Sequence, residues 1–315
     1  MKKIVKFLFI IMLLMSLSAC NFEQKEDIYI LYTNDVSGQA RENVGYAGVK
    51  GYMDNIKSKH KYVTLVDAGD FIEGKLAEKS DGKYIVDIMN AVGYDFVTLG
   101  NQDFSFGLDV LSKSINASNF QYVSCNIKYL GSGNNPLKNV KPYVIKRYGW
   151  TKVAFIGVTT PETILKSGKP AYEAVTEDGK PLFYFYEDDD GQALYDQIQK
   201  TVDKVRKKAD YVVLLSHLGS NSTIEGFNSY DVIYNTTGID VVIDGHSHTI
   251  IHGEGVPNKE GGIVVLTSTG HDIENLGVLI MHTNHTYTTT LYSSVDDKDP
   301  VVEELVNSYY SAIGE

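Results

Sequence analysis

Cysteine, arginine and long apolar runs are scarce in this 315-residue chain. The two cysteines are Cys20 and Cys125. Because Cys20 is predicted below to carry lipid, no disulfide within the chain is expected. Cys125 is then predicted to be a small buried apolar residue. The three arginines are Arg41, Arg147 and Arg206, and the formal net charge is −11. Such a chain lacks the basic surface that nucleic acid requires, so no nucleic-acid partner is expected.

The longest apolar run of the chain, residues 7–17, lies near its start and follows Lys2, Lys3 and Lys6. It is shorter than the roughly 20 residues that a membrane span needs. Residues 1–19 are therefore predicted to be a secretory signal, and the Leu-Ser-Ala-Cys at residues 17–20 resembles a bacterial lipobox ending at Cys20. We expect an extracytoplasmic bacterial surface lipoprotein, anchored to the membrane by acyl chains on Cys20, with residues 20–27 as a polar tether. An uncleaved membrane anchor is the alternative.

Five apolar runs rich in β-branched or aromatic residues are each followed closely by polar side chains. The runs are residues 28–32, 62–66, 96–99, 211–215 and 241–243. The polar residues after them are Asp35, Asp70, Asn101, His217, His246 and His248. Ligands of open α/β sheets bind outside the carboxyl ends of strands, so these side chains are expected to meet in one crevice. Turn residues at the two aspartates, and a helix cap at Asn101, are the alternative interpretations.

These residues lie in five short sequence motifs that occur in a characteristic order: TNDVSG at 33–38, DAGD at 67–70, LGNQD at 99–103, SHLG at 216–219 and DGHSH at 244–248. In that order they resemble the calcineurin-like metallophosphoesterases, and within them the bacterial 5′-nucleotidase and UDP-sugar hydrolase family. The resemblance implies a phosphoesterase domain over residues 28–315, an α/β fold of two facing mixed sheets flanked by helices. It also implies hydrolysis of nucleotides or small phosphate esters. A C-terminal nucleotide-binding domain is expected to be absent, and a monomer is expected.

The resemblance further implies two divalent metal ions. Such ions, about 3.5 to 4 Å apart, activate a water molecule for attack on phosphorus and polarise the phosphoryl oxygens. The implied ligands of the first ion are Asp35, Ser37, Asp70 and His248. The implied ligands of the second ion are Asp70, Asn101, His217 and His246, and Asn101 would also contact the substrate. The identity of the metal is left open among Mn, Zn, Co, Fe, Mg and Ca.

Three positions depart from the family pattern. Ser37 stands where the family has a histidine ligand, and its short neutral hydroxyl predicts a weakly bound first ion. Gln102 and Ser105 stand where the family has an acid–base histidine and its orienting aspartate, and glutamine cannot transfer a proton. A general acid contributes about 10² to 10⁴ of a total acceleration of about 10⁶ to 10¹⁷, so slow hydrolysis of activated esters or diphosphates is expected. The alternative is an inactive lipoprotein that binds metal, phosphate or a partner.

Two further residues are candidates for substrate binding, Arg41 because it lies six residues beyond Asp35, and His271 because its loop is expected near the metals. Helices are predicted at residues 48–58, 83–92, 108–117, 191–208 and 300–312, the last with Asp299 as its N-cap. Strands at residues 262–268, 276–282 and 286–292 are predicted to form a second sheet with a hairpin. Residues 159–190 are predicted to cross the surface as a long excursion.

Overall fold

The computed structural model describes residues 26–165, 176–177, 179–221 and 226–315. The predicted signal and the predicted lipidation site at Cys20 lie outside the described residues. Within those ranges, no helix has the length and apolar character needed to cross a membrane.

Two six-stranded mixed sheets form the centre of the fold. The first sheet consists of β1 (Ile28–Thr33), β2 (Val63–Asp67), β3 (Phe96–Thr98), β4 (Gln121–Val123), β15 (Leu276–Met281) and β16 (Tyr287–Tyr292). The second consists of β6 (Tyr143–Tyr148), β7 (Thr151–Thr159), β11 (Tyr211–His217), β12 (Val241–Asp244), β13 (Ile250–Pro257) and β14 (Ile263–Thr269). The strand orders are β16-β15-β1-β2-β3-β4 and β13-β14-β12-β11-β7-β6. Short pairs join β5 (Lys128–Tyr129) to β10 (Phe183–Tyr184) and β8 (Thr176–Glu177) to β9 (Lys180–Pro181).

Helices cover the outer faces of both sheets. They are Gly45–Lys59, Gly74–Ser80, Lys83–Val92, Leu108–Ala117, Glu162–Leu165, Gln192–Arg206, Ser229–Asn235 and Pro300–Ala312, with a 3₁₀ turn at Gln102–Phe104. Leu31 of β1 belongs to the apolar cluster beneath the helices of the first sheet, whereas Ile30 and Tyr32 belong to the cluster between the sheets. This alternation is that of a strand buried on both faces. The fold is therefore the predicted α/β class, two mixed sheets face to face with helices outside.

Parallel pairing brings the strand ends of each sheet to one edge. In the first sheet β1, β2 and β3 run parallel, and in the second β7, β11, β12 and β14 run parallel. The two sheets are close enough at β4 and β7 that a Cβ on Gly157 would lie 2.0 Å from the carbonyl oxygen of Val123. The loops after these strands therefore face one another across the gap between the sheets.

Most predicted helices are confirmed with small shifts at their ends. Lys83–Val92, Leu108–Ala117 and Pro300–Ala312 have the predicted bounds. The Asp299 side chain caps the last of these, accepting a hydrogen bond from the Val302 N–H at 2.8 Å. Capping and apolar spacing are local signals, so they can be recognised without knowing the fold.

Two predictions of chain path are wrong. The hairpin of β15 and β16 joins the first sheet, because β15 pairs antiparallel with β1. Of the three strands predicted to form the second sheet, only β14 belongs to it. The excursion predicted at residues 159–190 is not confined to the surface, because Phe183 and Phe185 are fully buried in the core of the first sheet. Both errors concern which neighbour a segment packs against, and strand periodicity alone does not specify that neighbour.

Candidate metal centre

Asp35 connects the loop after β1 to the loop after β12. Its carboxylate is fully buried and accepts hydrogen bonds from the His246 backbone N–H, at 3.0 and 2.9 Å to its two oxygens. The Asn34 amide donates a further hydrogen bond at 2.7 Å. Burial raises the pKa of the Asp35 carboxyl despite the nearby imidazole of His217. The loops of both sheets are therefore joined at a buried acid.

Asp70 lies at the centre of the site. Its Oδ1 accepts a hydrogen bond from the Gln102 backbone N–H at 2.7 Å, and its Oδ2 lies 3.0 Å from His217 Nε2. Burial alone would raise the pKa of the Asp70 carboxyl, but the charges of His217 and His246 outweigh burial and lower it. Asp70 is thus an ionised, buried carboxylate with its second oxygen directed at imidazole.

Asp103 supports the Asp70 loop, and the sequence did not indicate this function. One oxygen accepts hydrogen bonds from the N–H groups of Phe71 and Ile72 at 3.1 and 2.8 Å. The other accepts from those of Asp70 and Gly100 at 3.1 and 2.8 Å. Burial and the neighbouring Asp70 charge raise the pKa of Asp103 to about 7. The only sequence signal for this supporting role was the presence of an aspartate two residues beyond Asn101.

His217 is positioned to offer one ring nitrogen to a cation. Its Nδ1–H donates to the carbonyl oxygen of Ala68 at 2.6 Å, which directs Nε2 towards Asp70 Oδ2. Within the described part of the chain this fully buried Nε2 makes no aligned hydrogen bond. Burial would lower the pKa of His217, but Asp70 and Asp35 raise it to about 10. This electron-rich environment suits a cation.

His246 completes a three-residue cluster. Its ligating atom lies within 4.8 Å of those of Asp70 and His217. Its Nε2 lies 3.0 Å from Oε2 of the buried Glu162, so a proton on Nε2 leaves Nδ1 free for a metal. Glu162 was not predicted from the sequence, because it follows β7, a strand that was not itself predicted.

Asn101 contributes a buried oxygen beside this cluster. Among the described residues, no group donates a hydrogen bond to Asn101 Oδ1, and the Asn101 side chain caps neither the 3₁₀ turn that follows it nor the helix Leu108–Ala117. The capping interpretation therefore has no support. A buried carbonyl oxygen without a donor is costly, and a metal ion would satisfy it. The donor set of carboxylate, amide and imidazole fits a divalent cation.

The residues implied for the first ion are more widely spaced. His248 Nε2 lies 3.7 Å from Asp35 Oδ1, and the His248 side chain is 50% exposed. Its ring stacks on that of His271 at 4.9 Å, and His271 Nδ1 lies 2.8 Å from Asp272 Oδ2. His271 is therefore near the site, where it was expected. The Ser37 hydroxyl hydrogen-bonds to the Glu73 carboxyl.

Backbone strain is concentrated in these loops. Five of the predicted ligands have positive φ values: Asp35 (49°), Ser37 (49°), Asp70 (61°), His246 (76°) and His248 (55°). Each such non-glycine residue costs on the order of 1 kcal/mol or more, and such residues cluster at functional sites. Gly100 adds a steric requirement, because a Cβ there would lie 2.0 Å from Asp70 Oδ1 and 2.6 Å from His217 Nε2.

The remaining predicted residues differ in their surroundings. Gln102 and Ser105, at the positions of the acid–base dyad, contact each other, since Ser105 Oγ donates to Gln102 Oε1 at 2.7 Å. Arg41 stacks on the Tyr310 ring with 4.0 Å from Cζ to the ring centroid, and its Nε lies 3.6 Å from Glu42 Oε1. The substrate contact proposed for Arg41 stays a prediction.

The layered fold, with acidic, amide and imidazole side chains at its strand ends, is similar to that of solved nucleotidase and calcineurin-like phosphoesterase structures. The 5′-nucleotidase precursor from Thermus thermophilus superposes with a TM-score of 0.76 at 22% identity, over 91% of this chain and 59% of that one. The calcineurin-like phosphoesterase YfkN from Bacillus subtilis superposes with a TM-score of 0.71 at 21% identity, over 91% of this chain and 98% of that one. These structures establish the fold.

The chain belongs to the family described as bacterial capsule synthesis protein PGA_cap, whose model matches residues 63–270. It is also 29% identical over 263 residues to a snake venom 5′-nucleotidase from Gloydius brevicauda, an alignment that covers 78% of this chain and 40% of that protein. The trifunctional nucleotide phosphoesterase protein YfkN of Bacillus subtilis is 25% identical over 272 residues, 76% of this chain and 17% of that protein. The chain thus aligns with less than half of the length of these two relatives.

Proposed function

We propose that this chain is a metal-dependent hydrolase of phosphoester bonds that acts on nucleotides or related small phosphate esters. The observation that carries the proposal is the cluster of Asp70, His217 and His246, whose ligating atoms lie within 4.8 Å of one another. The relatives named as nucleotidases and nucleotide phosphoesterases support the substrate class.

The carboxylate, amide and imidazole groups of the site would hold two divalent ions, which would supply Lewis acidity to activate water and polarise a phosphoryl oxygen. Asp70 would bridge the ions, with Asn101, His217 and His246 at the second. Gln102 would donate a hydrogen bond to the phosphate but cannot protonate a leaving group. The favoured substrates are therefore aryl phosphates and diphosphate bonds, because their leaving groups depart without a proton.

The test is hydrolysis of p-nitrophenyl phosphate, a nucleoside monophosphate and a nucleoside diphosphate sugar with Mn²⁺, Zn²⁺, Co²⁺ or Mg²⁺. We expect metal-dependent turnover, with the monophosphate slowest, and loss of turnover in Asp70→Ala. Asp81→Asn is the matched control, because Asp81 is exposed and asparagine tolerates its left-handed conformation. Absence of turnover with every metal would refute the proposal.

A second candidate is an inactive protein that binds metal or phosphate, and the Gln102 to Ser105 contact favours it because neither side chain transfers a proton at neutral pH. The triple variant Ser37→His, Gln102→His and Ser105→Asp separates the two. If the pocket is otherwise competent, monophosphate hydrolysis should rise by about 10² or more, as expected of a positioned general acid. No gain, together with an inactive parent, would favour the binding protein.

We also propose that the protein is anchored to the bacterial surface through lipid on Cys20. The support is the pattern of residues 2–20 in the sequence. Incorporation of radiolabelled palmitate into the full chain, and its loss in Cys20→Ala, is the test. Equal labelling of both proteins would contradict the proposal.

A further inference from the structure

The amino-terminal ends of the parallel strands form an edge of the molecule that lies opposite the candidate metal centre. β7 runs for nine residues from Thr151 at this edge to Thr159, which pairs with His217 at the metal centre. With a rise of about 3.3 Å per residue, the strand spans roughly 30 Å. The two sheets also meet here, because Tyr211 Oη lies 2.7 Å from Nδ1 of His285 in the β15–β16 turn. A surface at this edge is therefore separate from the metal centre.

The turn between β6 and β7 carries Trp150, the single tryptophan of the chain. Trp150 is 71% exposed, whereas Tyr148, two residues earlier, is buried. The Tyr148 ring packs edge-on against that of Tyr62, with 5.9 Å between the ring centroids. The turn is thus fixed to the body of the protein while its indole faces solvent. Tryptophan is enriched at membrane–water interfaces, where its amphipathic ring lies at the level of the lipid headgroups.

Cationic side chains surround this turn. Arg147 of β6 pairs directly opposite Lys152 of β7, and like charges at such a position repel each other unless an anion compensates them. Lys207 and Lys208 follow the helix Gln192–Arg206 and lead into β11, the neighbour of β7. We call the exposed or half-exposed set at this edge the basic edge: Lys59, Arg147, Trp150, Lys152, Lys207 and Lys208.

The acids near the basic edge do not neutralise it. The ion pairs here join Asp95 to Lys146 at 2.6 Å and Asp240 to Arg206, and within the described ranges they leave the cations of the basic edge without a carboxylate partner. Asp210 accepts a hydrogen bond from the Lys152 backbone N–H at 2.8 Å. The formal net charge of −11 for the whole chain therefore conceals a local excess of positive charge.

The chain enters the fold at the same edge. β1 begins at Ile28, whose partner Met281 immediately precedes the β15–β16 turn. The six residue steps from Cys20 to Glu26 span at most about 20 Å at full extension. A lipid on Cys20 would therefore hold the basic edge within about 20 Å of the headgroups, which raises its effective concentration at a bilayer.

We propose that the basic edge docks on the surface of an anionic phospholipid bilayer, with its cations facing the headgroups and Trp150 in the interface. The inference uses the proposed anchor at Cys20 only to hold the edge near the bilayer. Lysine and arginine side chains are attracted to an anionic membrane within a Debye length, about 8 Å at physiological ionic strength. Docking directs the candidate metal centre away from the membrane, roughly 30 Å above it and open to soluble substrates.

The experiment measures the fluorescence of Trp150, since the chain has no other tryptophan. The full-length protein is purified from bacterial membranes and reconstituted into vesicles of phosphatidylcholine with or without phosphatidylglycerol. With phosphatidylglycerol we expect emission at shorter wavelength and at least twofold quenching by brominated acyl chains. Raising the salt concentration from about 0.1 M to about 1 M should reverse both effects, because the screening length falls from about 10 Å to about 3 Å.

A variant and a matched control test the basic edge itself. The combination of Arg147→Gln, Lys152→Gln, Lys207→Gln and Lys208→Gln removes four of its charges and should reduce the quenching at least twofold. The control removes four exposed lysines from other parts of the surface and should be quenched like the parent: Lys79→Gln, Lys113→Gln, Lys128→Gln and Lys180→Gln. Circular dichroism establishes that each variant is folded.

The outcomes separate this inference from the proposed anchor. Unquenched Trp150 in a protein that carries palmitate would overturn the inference and leave the anchor intact. Equal quenching with and without phosphatidylglycerol, or an equal loss of quenching in the control, would also overturn it, because the basic edge would then not determine docking. Quenching in a protein that takes up no palmitate would support docking and overturn the anchor alone.

Discussion

The support of the Asp70 loop by Asp103 leads to a quantitative prediction. The four N–H groups that donate to Asp103 belong to residues 70, 71, 72 and 100, at distances of 2.8 to 3.1 Å. Asp103→Ala leaves all four without their acceptor. Asp103→Asn keeps one oxygen, so two N–H groups retain a partner and two face an amide that is itself a donor.

The magnitude follows from these bonds. A buried N–H left without an acceptor costs about 1 to 3 kcal/mol, so four would cost about 4 kcal/mol at the low end. Two effects reduce that figure. Water can enter the vacated space, and the variant no longer carries a buried carboxylate that is costly to ionise: burial and the Asp70 charge raise the pKa of Asp103 to about 7. We therefore expect Asp103→Ala to lose about 3 kcal/mol of unfolding free energy and Asp103→Asn about 1 to 2 kcal/mol.

Urea denaturation at pH 7.5 in the presence of chelator, followed by circular dichroism, measures both losses. Asp81→Asn, on an exposed turn, should lie within about 0.5 kcal/mol of the parent. Calorimetry with Mn²⁺ should show weaker binding in both Asp103 variants, since the bridging carboxylate is on the loop that they loosen. An alanine variant as stable as the Asp81 control would refute this account of the loop.

Three other predictions concern single side chains. Gly100→Ala should abolish binding of the second ion in calorimetry, because the added Cβ occupies the space between Asp70 and His217; full binding would mean that the loop can shift. Glu162→Gln should weaken metal binding about 10- to 100-fold, the usual effect of losing the carboxylate that hydrogen-bonds to a ligating histidine. Unchanged affinity would contradict the idea that Glu162 orients His246. Burial raises the pKa of the Cys125 thiol to about 12, so in a Cys20→Ala background Ellman's reagent should react with it only after unfolding; reaction in the native protein would contradict its burial.

The convergence of Asp70, His217 and His246 could be predicted from the sequence because each lies at or just after the carboxyl end of a strand, and these ends face the same edge. Asp70 follows β2, and His246 follows β12, both of which contain apolar runs recognised in advance. His217 is the last residue of β11. Family motifs then supplied the order in which these positions occur.

The supporting residues could not be predicted, because their function depends on pairing between distant segments. Glu162 reaches His246 because β7 lies beside β11, with Thr159 opposite His217. Glu73 reaches Ser37 because two loops pack backbone against backbone. Strand order and loop packing are global properties, whereas periodicity and capping signals are local.

The strained loops bear on whether the site still functions. Five implied ligands adopt positive φ although glycine would adopt such a conformation without strain, and together they cost several kcal/mol at about 1 kcal/mol or more each. Cross-sheet hydrogen bonds, such as those from His246 N–H to Asp35 and from His217 to the Ala68 carbonyl, maintain the arrangement. A site with no remaining ligand would gain stability by relaxing these residues or replacing them with glycine. The carboxylate and imidazole side chains at these strained positions therefore favour metal binding, whether or not the altered acid–base pair still supports turnover.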